Sequence, residues 1–253
     1  MDKIWLKSYP PGVPAEIDVG EFSSLADLFD KGVRKYAEHT AYINMGKTIS
    51  YRELEVLSGQ FAAYLQGELK LAPGARVALM MPNCLQYPIA MFGVLRAGYT
   101  VVNVNPLYTA RELEHQLLDA GCEAIVIVEN FAHTLQKVVA NTAVRHVVTT
   151  SLGEMLGFVK GRVVNYVVRK VKKMVPAWQL PASISLAEAL KAGRKREFHA
   201  PQLSHQDIAF LQYTGGTTGI SKGAMLTHRN IVANVLQADA WIDPVIKIGE
   251  EFI

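Results

Sequence analysis

The most regular signal along the chain is a set of short, uninterrupted apolar runs, each separated from the next by a longer stretch with helical spacing. Arg76-Val77-Ala78-Leu79-Met80, Thr100-Val101-Val102-Asn103-Val104, Ala124-Ile125-Val126-Ile127-Val128 and His146-Val147-Val148-Thr149 read as strands. Asp207 to Tyr213 reads as another. Their apolar residues do not alternate with polar ones, so both faces of such strands must be covered, as in parallel sheets between helices. Helical patterns fill the intervals at Leu85–Ala97, Arg111–Ala120 and Phe131–Asn141. The prediction is an α/β fold: layered sheets flanked by helices.

Helix starts are marked locally. Ser50-Tyr51-Arg52-Glu53, Thr109-Ala110-Arg111-Glu112 and Ser185-Leu186-Ala187-Glu188 fit the capping box, in which hydroxyl and carboxylate satisfy orphan amides reciprocally. Glu53, Glu112 and Glu188 are therefore read as caps and not as catalytic acids. Gly98 and Gly121 are predicted left-handed stops. Asn103 to Thr109 is a strand-to-helix turn, with Pro106 forcing Asn105 into an extended conformation. Gly46-Lys47-Thr48 is a hairpin turn, because Ala41 stands where a Walker motif needs its first glycine.

Composition narrows the class. Among 253 residues, 50% are apolar and 19% charged, with 19 glycines and 11 prolines, which is ordered globular composition. Cys84 and Cys122 form no CxxC and face no paired histidines, so neither a disulfide framework nor structural zinc is expected, and a reducing cytoplasm fits. The N-terminal residues lack the apolar core of a secretory signal. No apolar run reaches the ~18 residues of a spanning helix.

The 26 bases and 23 acids give +3, but the excess is local. Between Gly157 and Trp178 lie Lys160, Arg162, Arg169, Lys170, Lys172 and Lys173 with no acid, leaving 20 bases against 23 acids elsewhere. That distribution argues against a nucleic-acid partner. Residues 157–176 are predicted to form one amphipathic helix. Val159, Val163, Val164, Tyr166, Val167, Val168, Val171, Met174 and Val175 hold one arc, and Arg162, Asn165, Arg169, Lys172 and Lys173 the other. Two readings stand: an outer helix packed on its own domain by the valines, or an interfacial helix in peripheral contact with anionic lipid at the inner face of the membrane, aided by Trp178 and snorkelling lysines.

The chemistry concentrates at Thr214-Gly215-Gly216-Thr217-Thr218-Gly219-Ile220-Ser221-Lys222-Gly223, directly after the strand ending at Tyr213. Glycines let backbone amides face inward, hydroxyls add short donors, and a lysine adds a mobile point charge. Together they suit a polyphosphate. Lys222 precedes Gly223, so the Walker rule is not met, and no Rossmann fingerprint occurs at this loop. Thr227 is the predicted N-cap of the next helix, with His228 at the surface or cap and not a general base.

Tyr213 to Gly223 resembles the phosphate-binding signature of the adenylate-forming enzymes, a superfamily of acyl-CoA synthetases, luciferases and peptide-synthetase adenylation domains. Ile49-Ser50-Tyr51-Arg52-Glu53-Leu54 resembles its first core motif. Leu95 to Gly98, Asn105 to Tyr108 and Glu112-Leu113 resemble its second. Within the superfamily the chain is most similar to bacterial long-chain-fatty-acid–CoA ligases. Ser221 stands where the family usually has proline, and Gly215 where serine is commoner.

The resemblance implies ATP-dependent activation of a fatty acid to an acyl-adenylate and transfer to coenzyme A, with Mg2+ held beyond Ile253. It assigns catalytic roles to Lys222 and Thr214. It assigns phosphate-loop contacts to Tyr213, Thr214, Gly215, Gly216, Thr217, Thr218, Gly219, Ile220, Ser221, Lys222, Gly223 and Ala224. The family's adenine segment, ribose aspartate, hinge and C-terminal lysine have no counterpart here, so the chain is expected to be an N-terminal portion, inactive alone. Another acid substrate (aryl or amino acid), a non-catalytic module retaining the loop, and homodimerisation all stay open.

Overall fold

The computed structural model describes residues 3–214 and 221–244, together with Ile246. A hairpin of β1 (Thr40–Asn44) and β2 (Lys47–Ser50) precedes the main sheet. Met45 and Gly46, with φ of 49° and 71°, form its two-residue turn, the geometry that matches the twist of the flanking strands. The main sheet contains β3 (Arg76–Met80), β4 (Thr100–Asn103), β5 (Ala124–Val128), β6 (His146–Thr150), β7 (Ile184–Ser185), β8 (Ile208–Thr214) and β9 (Lys222–Thr227). The helices are α1 (Leu25–Tyr36), α2 (Tyr51–Gly67), α3 (Gln86–Arg96), α4 (Ala110–Ala120), α5 (Ala132–Gln136), α6 (Phe158–Tyr166), α7 (Leu186–Gly193) and α8 (His228–Ile242).

Strand order is β7-β6-β5-β3-β4-β8-β9, parallel throughout except for the antiparallel β8–β9 pair. The period of two divides the sheet cleanly. Val77, Leu79, Val101, Val126 and Val148 join the core beneath α1, α2, α3 and α7. Ala78, Met80, Val102, Ile125 and Ile127 join the second core beneath α4 and α5. Two covered faces explain why these strands read as continuous apolar runs. Because β4 and β5 flank β3 on opposite sides, the chain reverses direction across the sheet there. Open α/β sheets hold ligands outside the carboxyl ends of strands at such a reversal.

All three anticipated capping boxes form, at Ser50/Glu53, Thr109/Glu112 and Ser185/Glu188, and Thr227/Asn230 makes a fourth. Each N-cap contributes about 1 kcal/mol. The bonds that Thr109 donates hold the Glu112 carboxyl below its usual range. Gly121 is a left-handed cap at φ 60°, and Gly98 also has positive φ. Both cysteines are free and buried, and burial pushes the Cys122 thiol up to about 12, so it is inert at neutral pH.

Three expectations are corrected. The helix anticipated over Phe131–Asn141 is broken into the short α5 and single 3-10 turns at Glu129–Phe131 and Val139–Asn141; its β-branched Val138 and Val139 are weak helix formers. His228 is not at the surface. It is buried beneath α1, and its Nδ1 accepts the Leu25 N–H at 3.1 Å, tying α8 to the start of α1.

The third concerns the basic helix. Helical structure runs through α6 and a π-helical turn at Val167–Val171, and its inward face combines small and polar residues with Val164, which packs on the core, so the apolar arc is split between core and solvent. Gly161 lies so close to Gly153 that a Cβ would meet the Gly153 carbonyl oxygen at 2.3 Å. Asn165 Oδ1 accepts from the Gly153 N–H at 2.8 Å while its Nδ2 donates to Ser151 Oγ at 2.9 Å. Arg169 forms a bidentate pair with buried Glu129, at 2.8 and 2.7 Å. Spaced four apart, these three dock the helix by its small and polar side. Val159, Val163, Tyr166, Val171 and Met174 are left outward, more than half exposed.

The buried acceptor of His228 has a pH signature. Burial, followed by its neighbour His205, lowers its pKa despite Asp207 nearby, so the folded state binds fewer protons than the unfolded. That contribution is full above the ordinary value of about 6.5 and is lost as pH falls through the lowered one. His228→Asn, which keeps an acceptor at the same reach, is expected to flatten the stability-versus-pH curve below about pH 6.5 in thermal denaturation. Some slope will remain, because burial lowers His146 too. An unchanged curve would reject the assignment.

Candidate functional site

Strand β8 lies between parallel β4 and antiparallel β9, so its carboxyl end turns straight back on itself. The ladder pairs Gln212 with Ala224, Tyr213 with Gly223, and Thr214 with Lys222. Lys222, Gly223 and Ala224, anticipated as loop, are thus the first residues of β9. Pairing with β8 recruits them despite a composition that reads as loop. Opposite residues in an antiparallel ladder point to one face with Cβ atoms about 5 Å apart. Thr214 and Lys222 therefore stand together, both exposed, where the two strands part. Gly215, Gly216, Thr217, Thr218, Gly219 and Ile220 lie outside the described residues.

One rung inward, Tyr213 turns to the opposite face and is buried with Leu211 in the core under α4. Its hydroxyl donates to Asp119 Oδ2 at 2.5 Å. Burial, and then the bond to Asp119, raise the phenol pKa. Gly223 is required opposite it: a Cβ there would meet ring atoms of Tyr213 at 2.8 and 2.9 Å. At the other stem, His115 Nε2 lies 3.2 Å from the Ser221 carbonyl oxygen. A carbonyl can only accept, so this nitrogen carries the proton.

Polar side chains also link the strand ends beside the hairpin. Tyr87 donates its hydroxyl to Asn103 Oδ1 at 2.9 Å, and Asn103 Nδ2 donates to Gln212 Oε1 at 3.0 Å. Gln116 Nε2 donates to the Asn103 carbonyl at 2.7 Å, which fixes α4 against β4. Among the described residues no three His, Cys, Asp or Glu side chains gather as a metal site. A cavity of about 670 Å3 opens at the opposite, amino end of the strands, between Gly74, Thr100, Pro201 and Asp207.

With that geometry in place, likeness to other proteins becomes decisive. The family described as AMP-binding enzyme matches residues 29–251. The chain belongs to that family. It is 55% identical over all 253 residues to a long-chain-fatty-acid–CoA ligase of Escherichia coli O6:H1, covering 45% of that protein. It is 56% identical to the ligase of the same name from Yersinia pestis, again covering 45% of it. The chain thus spans less than half the length of these curated relatives. A solved long-chain-fatty-acid-CoA ligase from Archaeoglobus fulgidus superposes with a TM-score of 0.70 at 27% identity, covering 92% of this chain and 42% of that one. An anthranilate CoA ligase with bound anthranoyl-AMP, at 19% identity and TM-score 0.67 over 84% of this chain and 37% of its own, shares the fold.

Sequence patterning anticipated the strand and singled out Lys222 and Thr214, and it gave no signal for the contacts of His115 and Asp119 with the two stems. Their spacing of four on the polar side of a capped helix shows only that they share a face; which loop they meet depends on where the helix docks.

The contact between Gly223 and Tyr213 is directly testable. Gly223→Ala is expected to cost about 1–3 kcal/mol in denaturant unfolding, as overpacking against a held ring does. In a Tyr213→Ala background the same substitution should cost little. Additive costs would reject the contact.

Proposed function

We propose that this chain is the phosphate-binding portion of a longer ligase that uses ATP to activate a long-chain fatty acid and then passes the acyl group to coenzyme A. The observation that carries the reading is the pairing of Thr214 with Lys222 at the mouth of the glycine- and threonine-rich segment, at the carboxyl edge of a parallel sheet. The 55% identity to the E. coli ligase supports the choice of a long-chain acid. In this reading a fatty carboxylate oxygen attacks the α-phosphorus of ATP and pyrophosphate departs with its bonding pair. The thiol of coenzyme A then displaces AMP from the acyl carbon.

Little covalent work falls to the protein in the first step. The barrier lies in gathering negative charge, so placement and electrostatics dominate. Thr214, Thr217 and Thr218 donate hydroxyl protons to the β- and γ-phosphates, and amides of Gly215, Gly216 and Gly219 line the cradle. Lys222 neutralises the departing pyrophosphate. Magnesium, which the family resemblance calls for, would supply counter-charge to the phosphates.

In the full-length ligase, Lys222→Ala is expected to remove on the order of 1–3 kcal/mol of transition-state stabilisation, the worth of one charged hydrogen bond. ATP–pyrophosphate exchange with a panel of long-chain, aryl and amino acids reads this out. Exchange driven best by an aryl or amino acid would overturn the substrate class, and an unaltered Lys222→Ala rate would overturn the role of the loop.

The same reading places the ligase in the cytoplasm and in peripheral contact with its anionic membrane surface. The apolar side chains left exposed on this helix support this. Val159, Val163, Tyr166, Val171 and Met174 are exposed beside Lys160, Arg162, Lys170, Lys172 and Lys173, while Ile43 and Met45 of the hairpin are exposed where Lys160 reaches the Met45 carbonyl. Exposed apolar side chains ringed by cations suit the headgroup boundary. No helix among the described residues is long and apolar enough to cross a membrane. Co-sedimentation with phosphatidylglycerol vesicles is expected, weakened by salt and reduced about fivefold by each of Lys170→Gln and Lys172→Gln, since a cation near such a surface contributes about 1 kcal/mol. Absence of salt-sensitive binding would reject the contact.

A further inference from the structure

Helix α4 touches both stems of the candidate phosphate loop. Asp119 accepts the Tyr213 hydroxyl proton on the leading side, and His115 donates to the Ser221 carbonyl on the returning side. The two side chains are four residues apart, on one face of one helix. The stem residues they hold bracket Thr214 and Gly215–Ile220, and Lys222 follows directly.

The helix is itself anchored along its length. Its first turn is closed by the Thr109/Glu112 capping box. Leu113, Leu117 and Ala120 are buried beneath it, and Gln116 fastens it to the end of β4. At its last turn Arg76 Nη1 donates to the Ala120 carbonyl at 2.9 Å, and Gly121 closes the helix. Two side chains projecting from a body so fixed set the positions of what they hold.

We propose that His115 and Asp119 are positioning residues that set the separation of the two stems and so hold Thr214 opposite Lys222 for the triphosphate. The proposal rests on the phosphate-binding reading of the loop. Neither residue touches substrate in this scheme. A site whose donors are brought together only when ATP arrives binds it more weakly. Holding both ends meets part of that cost beforehand. The two bonds act on different atoms: one fixes the buried ring whose backbone leads into Thr214, the other the carbonyl that precedes Lys222. The effect belongs to ATP and not to the acid.

The test uses the full-length ligase and ATP–pyrophosphate exchange, with separate KM values for ATP and for a long-chain acid. His115→Ala and Asp119→Ala are each expected to raise the ATP KM about tenfold, while the acid KM stays within about twofold. His115→Gln and Asp119→Asn, which keep a donor and an acceptor at those places, should recover most of the loss. Tyr213→Phe removes the same bond as Asp119→Ala from its other end and should match it, which keeps the test decisive should the alanine variants fail to fold. The double alanine variant should fall short of the product of the single effects, because both act on one loop.

An ATP KM unchanged in both variants, or ATP and acid KM values rising together with a lowered melting temperature and no rescue, would overturn the proposal. Lys222→Ala, assayed alongside, separates the two ideas. If it impairs exchange while the His115 and Asp119 variants do not, the clamp fails and the loop reading stands. If it too is silent, the reading beneath the proposal fails.

Discussion

Burial of both faces of a parallel sheet is the constraint from which the rest of this structure follows. A strand with apolar residues on each side needs a helix above and another below, and a parallel neighbour can be reached only by a crossover long enough to supply one. α3 and α4 meet that need on opposite faces, packing Ile89 and Val94 on one side and Leu113 and Leu117 on the other. The crossovers place the strand-to-helix turns at the carboxyl edge. That edge is where the chain can present backbone amides and short hydroxyls to a ligand without disturbing the core.

The antiparallel pair at the end of the sheet puts this edge to use. β8 is held in the sheet by β4, and β9 returns beside it in a register that sets Thr214 against Lys222. A donor hydroxyl and an ammonium thereby come from opposite strands to one point. The next rung reverses the sides: Tyr213 is buried, and Gly223 clears space for its ring. Stability and presentation alternate along the hairpin because side chains alternate along strands. The hairpin thus joins the hydrophobic core to the exposed site without a linker.

The segment around Gly161 follows another logic. A helix usually packs by its apolar stripe. Here the close approach of Gly161 to Gly153, the inward amide of Asn165 and the Arg169–Glu129 pair share the docking with Val164 and leave Val159, Val163 and Val171 outward. Desolvating Glu129 is tolerable because the guanidinium satisfies both its oxygens.

What the residues alone determined was local or periodic. The strands at Arg76–Met80 and Ala124–Val128 match their apolar runs end to end, and every anticipated cap at Ser50, Thr109 and Ser185 forms, because each depends on neighbours within four positions. The proposal for Thr214 and Lys222 has the same local origin: glycines, hydroxyls and a lysine in one short stretch after a strand. Tertiary structure decided whatever depends on distant partners. It made Lys222–Thr227 a strand by supplying β8, buried His228 by bringing Leu25 across 203 positions, and set which side of the basic helix docks by offering Gly153 and Glu129 as partners. It also carried His115 and Asp119 to the loop stems, a meeting fixed by where α4 lands on the sheet, which no window of sequence contains.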